Sequence, residues 1–193
     1  MDKNELITLL ERHRLLPIIY ELTSEGIREL RNMIFYMVAY DNSPIKLYID
    51  CDGGSIEPAL MFANFLHTLE VPTIGFVCGC CQSAANVILQ GCTTRLATPD
   101  SQFYMHFNFN TFGYKLREPH LAERMQTNIK HSETIEKQAL RFLAKRTGNS
   151  LKNIRALAEH GEYHDGCFTA QEAKRLGFID RIITEKFPLF PAK

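Results

Sequence analysis

A chain of 193 residues is most economically one domain, 1–193, with room for a sizeable core. Its 22 basic and 22 acidic side chains balance, so no global field favours nucleic acid or an anionic membrane, and a polyanion is disfavoured as main ligand. The first residues are polar, with no basic region ahead of an apolar core, and no apolar run approaches the roughly 20 residues that cross a bilayer. A soluble, cytoplasmic protein is expected.

Six cysteines (51, 78, 80, 81, 92, 167) sit mostly in apolar runs, which suits free thiols in a reducing compartment. The cluster Cys78-Gly79-Cys80-Cys81 has no second cysteine pair and no neighbouring His that would complete a tetrahedral set. Small apolar filler is therefore expected, with no metal.

In chain order, residues 2–12 place Leu6, Ile7, Leu9 and Leu10 on one side, as in a short amphipathic helix or a flexible arm (1–13). Residues 15–20 read as a first strand. Helical spacing over 24–40 (Ile27, Leu30, Ile34, Met37, Val38), with Thr23 or Ser24 as cap, is broken at Asp41-Asn42-Ser43-Pro44. A β-rich run, 45–51, ends at Asp52-Gly53-Gly54-Ser55, and 56–69 is helical again. Residues 71–78 form the next strand, 84–89 the next helix, and 95–97 and 102–106 are short β candidates. Alternation of this kind predicts parallel βαβ units in an α/β core.

From 118 to 146 there is no glycine, Pro119 falls at a first-turn position, and apolar residues recur from Leu121 to Leu143. Such a helix runs about 40 Å at 1.5 Å per residue. That exceeds what the domain needs for its own packing, so part is expected to project against a partner subunit. A helix from Ser150 to about 159, a capping box at Thr169-Ala170-Gln171-Glu172 before a helix ending near Gly177, and a strand over 179–184 complete the reading.

Ser83, in Gly79-Cys80-Cys81-Gln82-Ser83-Ala84-Ala85, lies where a strand passes into a helix. Its hydroxyl can cap that helix by accepting a backbone N–H, or it can be a nucleophile beside N–H groups able to hold an oxyanion. A nucleophilic serine needs a base, and the base an orienting acid. Histidines 13, 67, 120, 131, 160 and 164 lie in helical or polar stretches, where exposure is ordinary. His106 ends a β candidate, and in open α/β sheets ligands gather at the carboxyl ends of strands. For the acid, composition leaves Asp100, Asp165 and Asp180 open.

Asp52-Gly53-Gly54, the Ser83 segment, Pro99-Asp100-Ser101-Gln102-Phe103-Tyr104-Met105-His106, and 164–180 with Thr169-Ala170-Gln171-Glu172-Ala173 together resemble, in order and spacing, the Clp protease proteolytic subunit (ClpP) family. The resemblance runs from Arg14 to about Thr184. It implies a ClpP/crotonase-like α/β fold with residues 118–146 as a long handle helix. It also implies a serine endopeptidase with Ser83 as nucleophile, His106 as base and then acid, and Asp165 orienting the imidazole. Gly54 and Ala84 would supply the oxyanion-hole N–H groups. An extended substrate would lie between Gly53, Ser55 and Ile56 on one side and Phe107, Asn108 and Phe109 on the other.

The resemblance further implies a homo-oligomer of two stacked heptameric rings, fed unfolded polypeptide by an AAA+ unfoldase (ClpX- or ClpA/ClpC-like) that alone consumes ATP, with no cofactor in the chain itself. Departures are the bulky Phe107-Asn108-Phe109, where the family has a Gln-Pro and a glycine-rich turn, and the longer spacing before Asp165. Two other readings are a non-catalytic subunit of a mixed Clp ring and a crotonase-type acyl-CoA hydratase or isomerase.

Overall fold

The computed structural model describes residues 3–107, 119–163 and 166–187. Three helices and three strands alternate first: α1 (Lys3–Arg12), β1 (Leu15–Ile18), α2 (Ser24–Tyr40), β2 (Ile45–Cys51), α3 (Ile56–Thr68) and β3 (Thr73–Gln82). There follow α4 (Ala84–Gly91), β4 (Thr94–Ala97), β5 (Gln102–Tyr104), α5 (Leu121–Thr147), α6 (Leu151–Tyr163), β6 (Cys167–Thr169), α7 (Ala170–Arg175) and β7 (Arg181–Ile182). The sheet order is β1-β2-β3-β4-β7, all parallel, with β5 parallel to β3 and antiparallel to β6.

Strand β2 alternates as its sequence requires: Ile45, Leu47, Ile49 and Cys51 are buried, while Lys46 and Tyr48 are half-buried on the other face. The buried set joins Phe62, Leu66, Val77, Ile88 and Leu143 in the main core. On the opposite face a small cluster of Phe76, Leu96 and Ile183 packs with Tyr48 and Phe187.

Several boundaries differ from the sequence reading. The third strand does not stop at Cys78 but continues to Gln82, because it changes neighbours: Ile74 to Val77 pair with β4 and Cys80 to Gln82 pair with β5. Val77 O marks the crossover, accepting the Thr98 N–H at 3.0 Å and the Ser101 hydroxyl at 3.0 Å. Opposite the break, the β2 register shifts between Ile49 and Cys51. There Asp50 Oδ1 accepts the Cys80 N–H at 2.8 Å. A Cβ on Gly79 would lie 2.1 Å from that carboxylate oxygen, so a side chain there would displace the Asp50 carboxylate from the Cys80 N–H.

Strand β6 was not anticipated, and β7 is shorter than the expected 179–184. The first strand stops at Ile18, and α6 runs to Tyr163. Pro119 precedes α5 in a turn, because His120 takes a left-handed conformation (φ 59°) ahead of the first helical residue.

Helix α5 has 27 residues, about 40 Å. Its buried residues, Ile135, Ala139, Leu140, Leu143 and Ala144, all lie in its C-terminal half. Met125 and Ile129 in the N-terminal half are 41% and 49% exposed. Where that half meets the body, His131 Nε2 and Glu57 Oε2 are 3.0 Å apart.

Thr169 caps α7 as its sequence specifies: the hydroxyl accepts the Glu172 N–H at 3.3 Å and the Glu172 carboxylate accepts the Thr169 N–H at 2.9 Å. Thr169→Ala should cost about 1 kcal/mol, a melting-point fall of about 2–4 °C in a calorimetric scan. The Thr169 backbone N–H, followed by its hydroxyl, holds the Glu172 carboxyl below its ordinary 4.5. A depressed folded-state value means the contribution is fully present above the unfolded-state value and fades as pH falls through the folded one. Alanine keeps the N–H but loses the hydroxyl that donates to the Glu172 carboxylate at 2.9 Å, so the part of the Thr169→Ala deficit carried by that bond should shrink in acid, and a deficit independent of pH would contradict the hydroxyl–carboxylate pairing.

Candidate active site

Ser83 closes β3 and occupies the N-cap position of α4 with φ 49° and ψ −121°. Its side chain makes no cap hydrogen bond, so the capping role does not describe it. A non-glycine residue in this region carries about 1–3 kcal/mol of strain, sustained only where the surroundings over-determine it. Here they do: the Ser83 N–H donates to Tyr104 O at 2.8 Å, and Ser83 O accepts the Asn86 N–H at 3.1 Å.

The glycine turn lies against this elbow. A Cβ on Gly53 (φ +106°) would come within 2.8 Å of Gln82 O and 2.9 Å of Ser83 Cβ, and 3.1 Å from the Ala84 nitrogen. Gly54 (φ +142°) is pressed on the other side, where a Cβ would lie 2.5 Å from Leu22 N. Leu22 clamps the turn by donating to Gly53 O and accepting from the Ser55 N–H, both at 2.8 Å. Gly54→Ala combines strain with a clash against main chain, neither of which a rotamer change relieves. We expect a loss of about 1–3 kcal/mol from the backbone alone, seen in a thermal melt. A wild-type melting point in that variant would contradict the packing described.

His106 lies two residues beyond β5, and its ring tilts against Tyr104 at a centroid distance of 5.4 Å. Nδ1 is 2.5 Å from Phe107 O. A carbonyl oxygen only accepts, so this contact assigns the proton to Nδ1 and leaves Nε2 of the neutral ring as the acceptor. Ser83 and His106 line one cavity of about 30 Å³, with Ile56, Phe107 and Leu140 among its walls. That is room for about one water.

The remaining sequence candidates fall into place unevenly. Ser55 precedes α3 and Ile56 opens it. Ala84 is the fully buried first residue of α4. Asp165, Asn108 and Phe109 lie outside the described residues. Of the rival acids, Asp180 is committed to Arg95, with Oδ1 2.5 Å from Nη2 and Oδ2 2.7 Å from the Arg95 N–H. Asp100 is exposed in the turn between β4 and β5. Histidines 67, 120, 131 and 160 are exposed and His13 is half-buried, while His164 lies outside the described residues.

Sequence reasoning missed Asn86. It is 0% exposed, and the signal was present as a lone amide inside the apolar segment 84–89.

The cysteines divide. Cys51, Cys81 and Cys92 are buried as expected, whereas Cys78 and Cys80 are half-buried and Cys167 is exposed. Burial, then the neighbouring Asp52 and Asp50 carboxylates, pushes the Cys80 thiol up to about 12. Burial drives Cys81 up as well. At neutral pH both thiols beside the elbow are protonated and weakly nucleophilic. Among the described residues no group of three or more His, Cys, Asp or Glu side chains could hold a metal ion.

An elbow serine at a helix N-terminus, sharing a cavity with a strand-end histidine in a parallel α/β sheet, has the form of a serine peptidase. The family model for Clp protease matches residues 2–186. The chain belongs to the Clp protease family. A relative in Pleurastrum terricola, named ATP-dependent Clp protease proteolytic subunit, is 26% identical over 188 residues, covering 96% of this chain and 91% of the relative. Proteins of the same name in strains of Streptococcus pneumoniae are 26% identical over 153 residues, 78% of this chain and 74% of theirs. Among solved structures, a ClpP1 mutant from Listeria monocytogenes superposes with a TM-score of 0.77 at 18% identity, covering 94% of this chain and 97% of that one. The chain is thus a Clp-type proteolytic subunit and a serine peptidase, and these similarities favour neither a non-catalytic ring subunit nor an acyl-CoA enzyme.

Proposed function

We propose that the protein cleaves peptide bonds in unfolded polypeptides by nucleophilic attack of Ser83. The observation that carries this reading is the strained Ser83 backbone with its hydroxyl unused as a helix cap. His106 Nε2 takes the Ser83 proton as Oγ bonds to the scissile carbonyl carbon, and the imidazolium returns that proton to the leaving amine as the C–N bond breaks. Water, deprotonated by the same nitrogen, then releases the acyl group. The N–H groups of Gly54 and Ala84 hold the oxyanion in both halves, and Asp165 orients the imidazole. The reaction draws on side chains and main chain alone, with no cofactor of its own.

The substrate lies as an added strand between Gly53, Ser55 and Ile56 and the segment from Phe107 to Phe109, held through its backbone. A single peptidase domain, 1–193, assembles with copies of itself into two stacked heptameric rings. The exposed Met125 and Ile129 of the handle helix α5 pack between subunits. A partner AAA+ unfoldase, ClpX- or ClpA/ClpC-like, spends the ATP. Among the described residues no helix is long and apolar enough to cross a membrane, which fits work in the cytoplasm.

The test is to incubate the purified protein with a fluorophosphonate probe and map the adduct. Ser83 should be the modified residue, with an unfolded polypeptide slowing the reaction. No adduct, or one elsewhere, would overturn the reading.

A further inference from the structure

Asn86 lies on the first turn of α4 and is wholly buried. Its Nδ2 donates to Cys81 O at 3.0 Å and to Tyr104 O at 2.8 Å. Both partners are carbonyls, which fixes the amide orientation: the nitrogen must face them. Its Oδ1 is buried with no hydrogen-bond partner among the described residues. An apolar side chain would fill this place in the core without stranding an acceptor, so what the amide contributes is its pair of donors.

Those donors close a circuit around the elbow. Tyr104 O accepts from Nδ2 of Asn86 and from the Ser83 N–H, both at 2.8 Å. Cys81 O takes the second Nδ2 proton two residues before the nucleophile. One amide thus links the end of β3, the helix after Ser83 and the last residue of β5, two residues before His106.

We infer that Asn86 is a positioning residue, setting Ser83 and His106 in register by holding Cys81 and Tyr104. This rests on the proposed serine-peptidase reading. Misplacing a nucleophile by about 1 Å can cost about 100-fold in rate, and the loss falls on turnover because Asn86 lies beneath the elbow, away from the proposed peptide track.

Variants Asn86→Asp, Asn86→Ser and Asn86→Ala test it, with a fluorogenic peptide and the fluorophosphonate probe. We expect kcat to fall at least about tenfold in Asn86→Asp and Asn86→Ala with KM within about twofold, and the Ser83 labelling rate to fall in parallel. Asn86→Ser, which keeps one donor, should lie between them and wild type. In Asn86→Asp the activity relative to wild type should rise as pH falls, because a protonated carboxyl regains one donor. A purely structural role would not produce that signature. Variants that fold and retain kcat and labelling within about twofold of wild type would overturn the inference, as would failure of all three to fold. If wild-type Ser83 does not react with the probe, the peptidase reading itself has failed. If it reacts and the variants match it, only the role of Asn86 has.

Discussion

Replacing Ser83 with alanine is expected to lower kcat for peptide hydrolysis by about 10⁴–10⁶ and to abolish fluorophosphonate labelling, with the fold unchanged. The size follows from triad chemistry, in which loss of the nucleophile costs nearly as much as loss of the whole constellation. The accompanying stability result discriminates between readings. A serine that caps a helix loses about 1 kcal/mol on becoming alanine. Ser83 makes no cap hydrogen bond, and alanine inherits the same backbone strain, so the melting temperature should stay within the range of a neutral substitution, about 0.5 kcal/mol. Paired thermal melts and turnover assays check both halves. Full activity in the variant would refute Ser83 as nucleophile, and a melting loss without an activity loss would restore the capping role.

The largest effect on folding is expected at Arg95. It is 9% exposed and grips Asp180 through two nitrogens. Its Nη1 also donates to Gly177 O at 2.6 Å and, at close range, to Gln90 Oε1. Nearby, Arg146 holds the same C-terminal end of α4, donating to Gln90 O at 2.6 Å and Cys92 O at 2.8 Å. Burial, then the adjacent Arg95 charge, lowers the Arg146 pKa, so the two cations depend on Asp180 for balance. Arg95→Leu strands the Gln90 and Gly177 acceptors and takes the guanidinium from the Asp180 carboxylate, which keeps only the residue 95 N–H. Removing one partner of a buried pair costs about 3–5 kcal/mol, and the lower end applies because the Asp180 side chain is 41% exposed. At about 2–4 °C per kcal/mol, a loss of about 3 kcal/mol is a fall of about 6–12 °C in a melting experiment. A double variant, Arg95→Leu with Asp180→Leu, should recover part of it. A melting point within about 1 °C of wild type in the single variant would show that the network contributes nothing net.

Arg95 and Asp180 also show where one-dimensional reading stops. Composition left Asp180 as a possible orienting acid. The distinction depends on a contact between residues 85 positions apart, to which no local pattern points. Asp100 stayed open for the same reason until the chain was seen to leave it exposed in a turn.

Local chemistry by itself determined much of the chain. Helix α2 (Ser24–Tyr40) and strand β2 (Ile45–Cys51) begin and end where periodicity, the Asp41-to-Pro44 break and the two glycines place them, because 3.6- and 2-residue repeats are carried by neighbouring residues. The Thr169 capping box is equally local. So are the selection of Ser83 at a strand-to-helix junction and of His106 near a strand end. Tertiary structure alone decided that β3 continues to Gln82, that β6 exists, that Ser83 is strained rather than capping, and that Asn86 ties two strand ends together. Each of these depends on pairing across the sheet, between segments tens of residues apart, and such pairing leaves no period in the sequence to read.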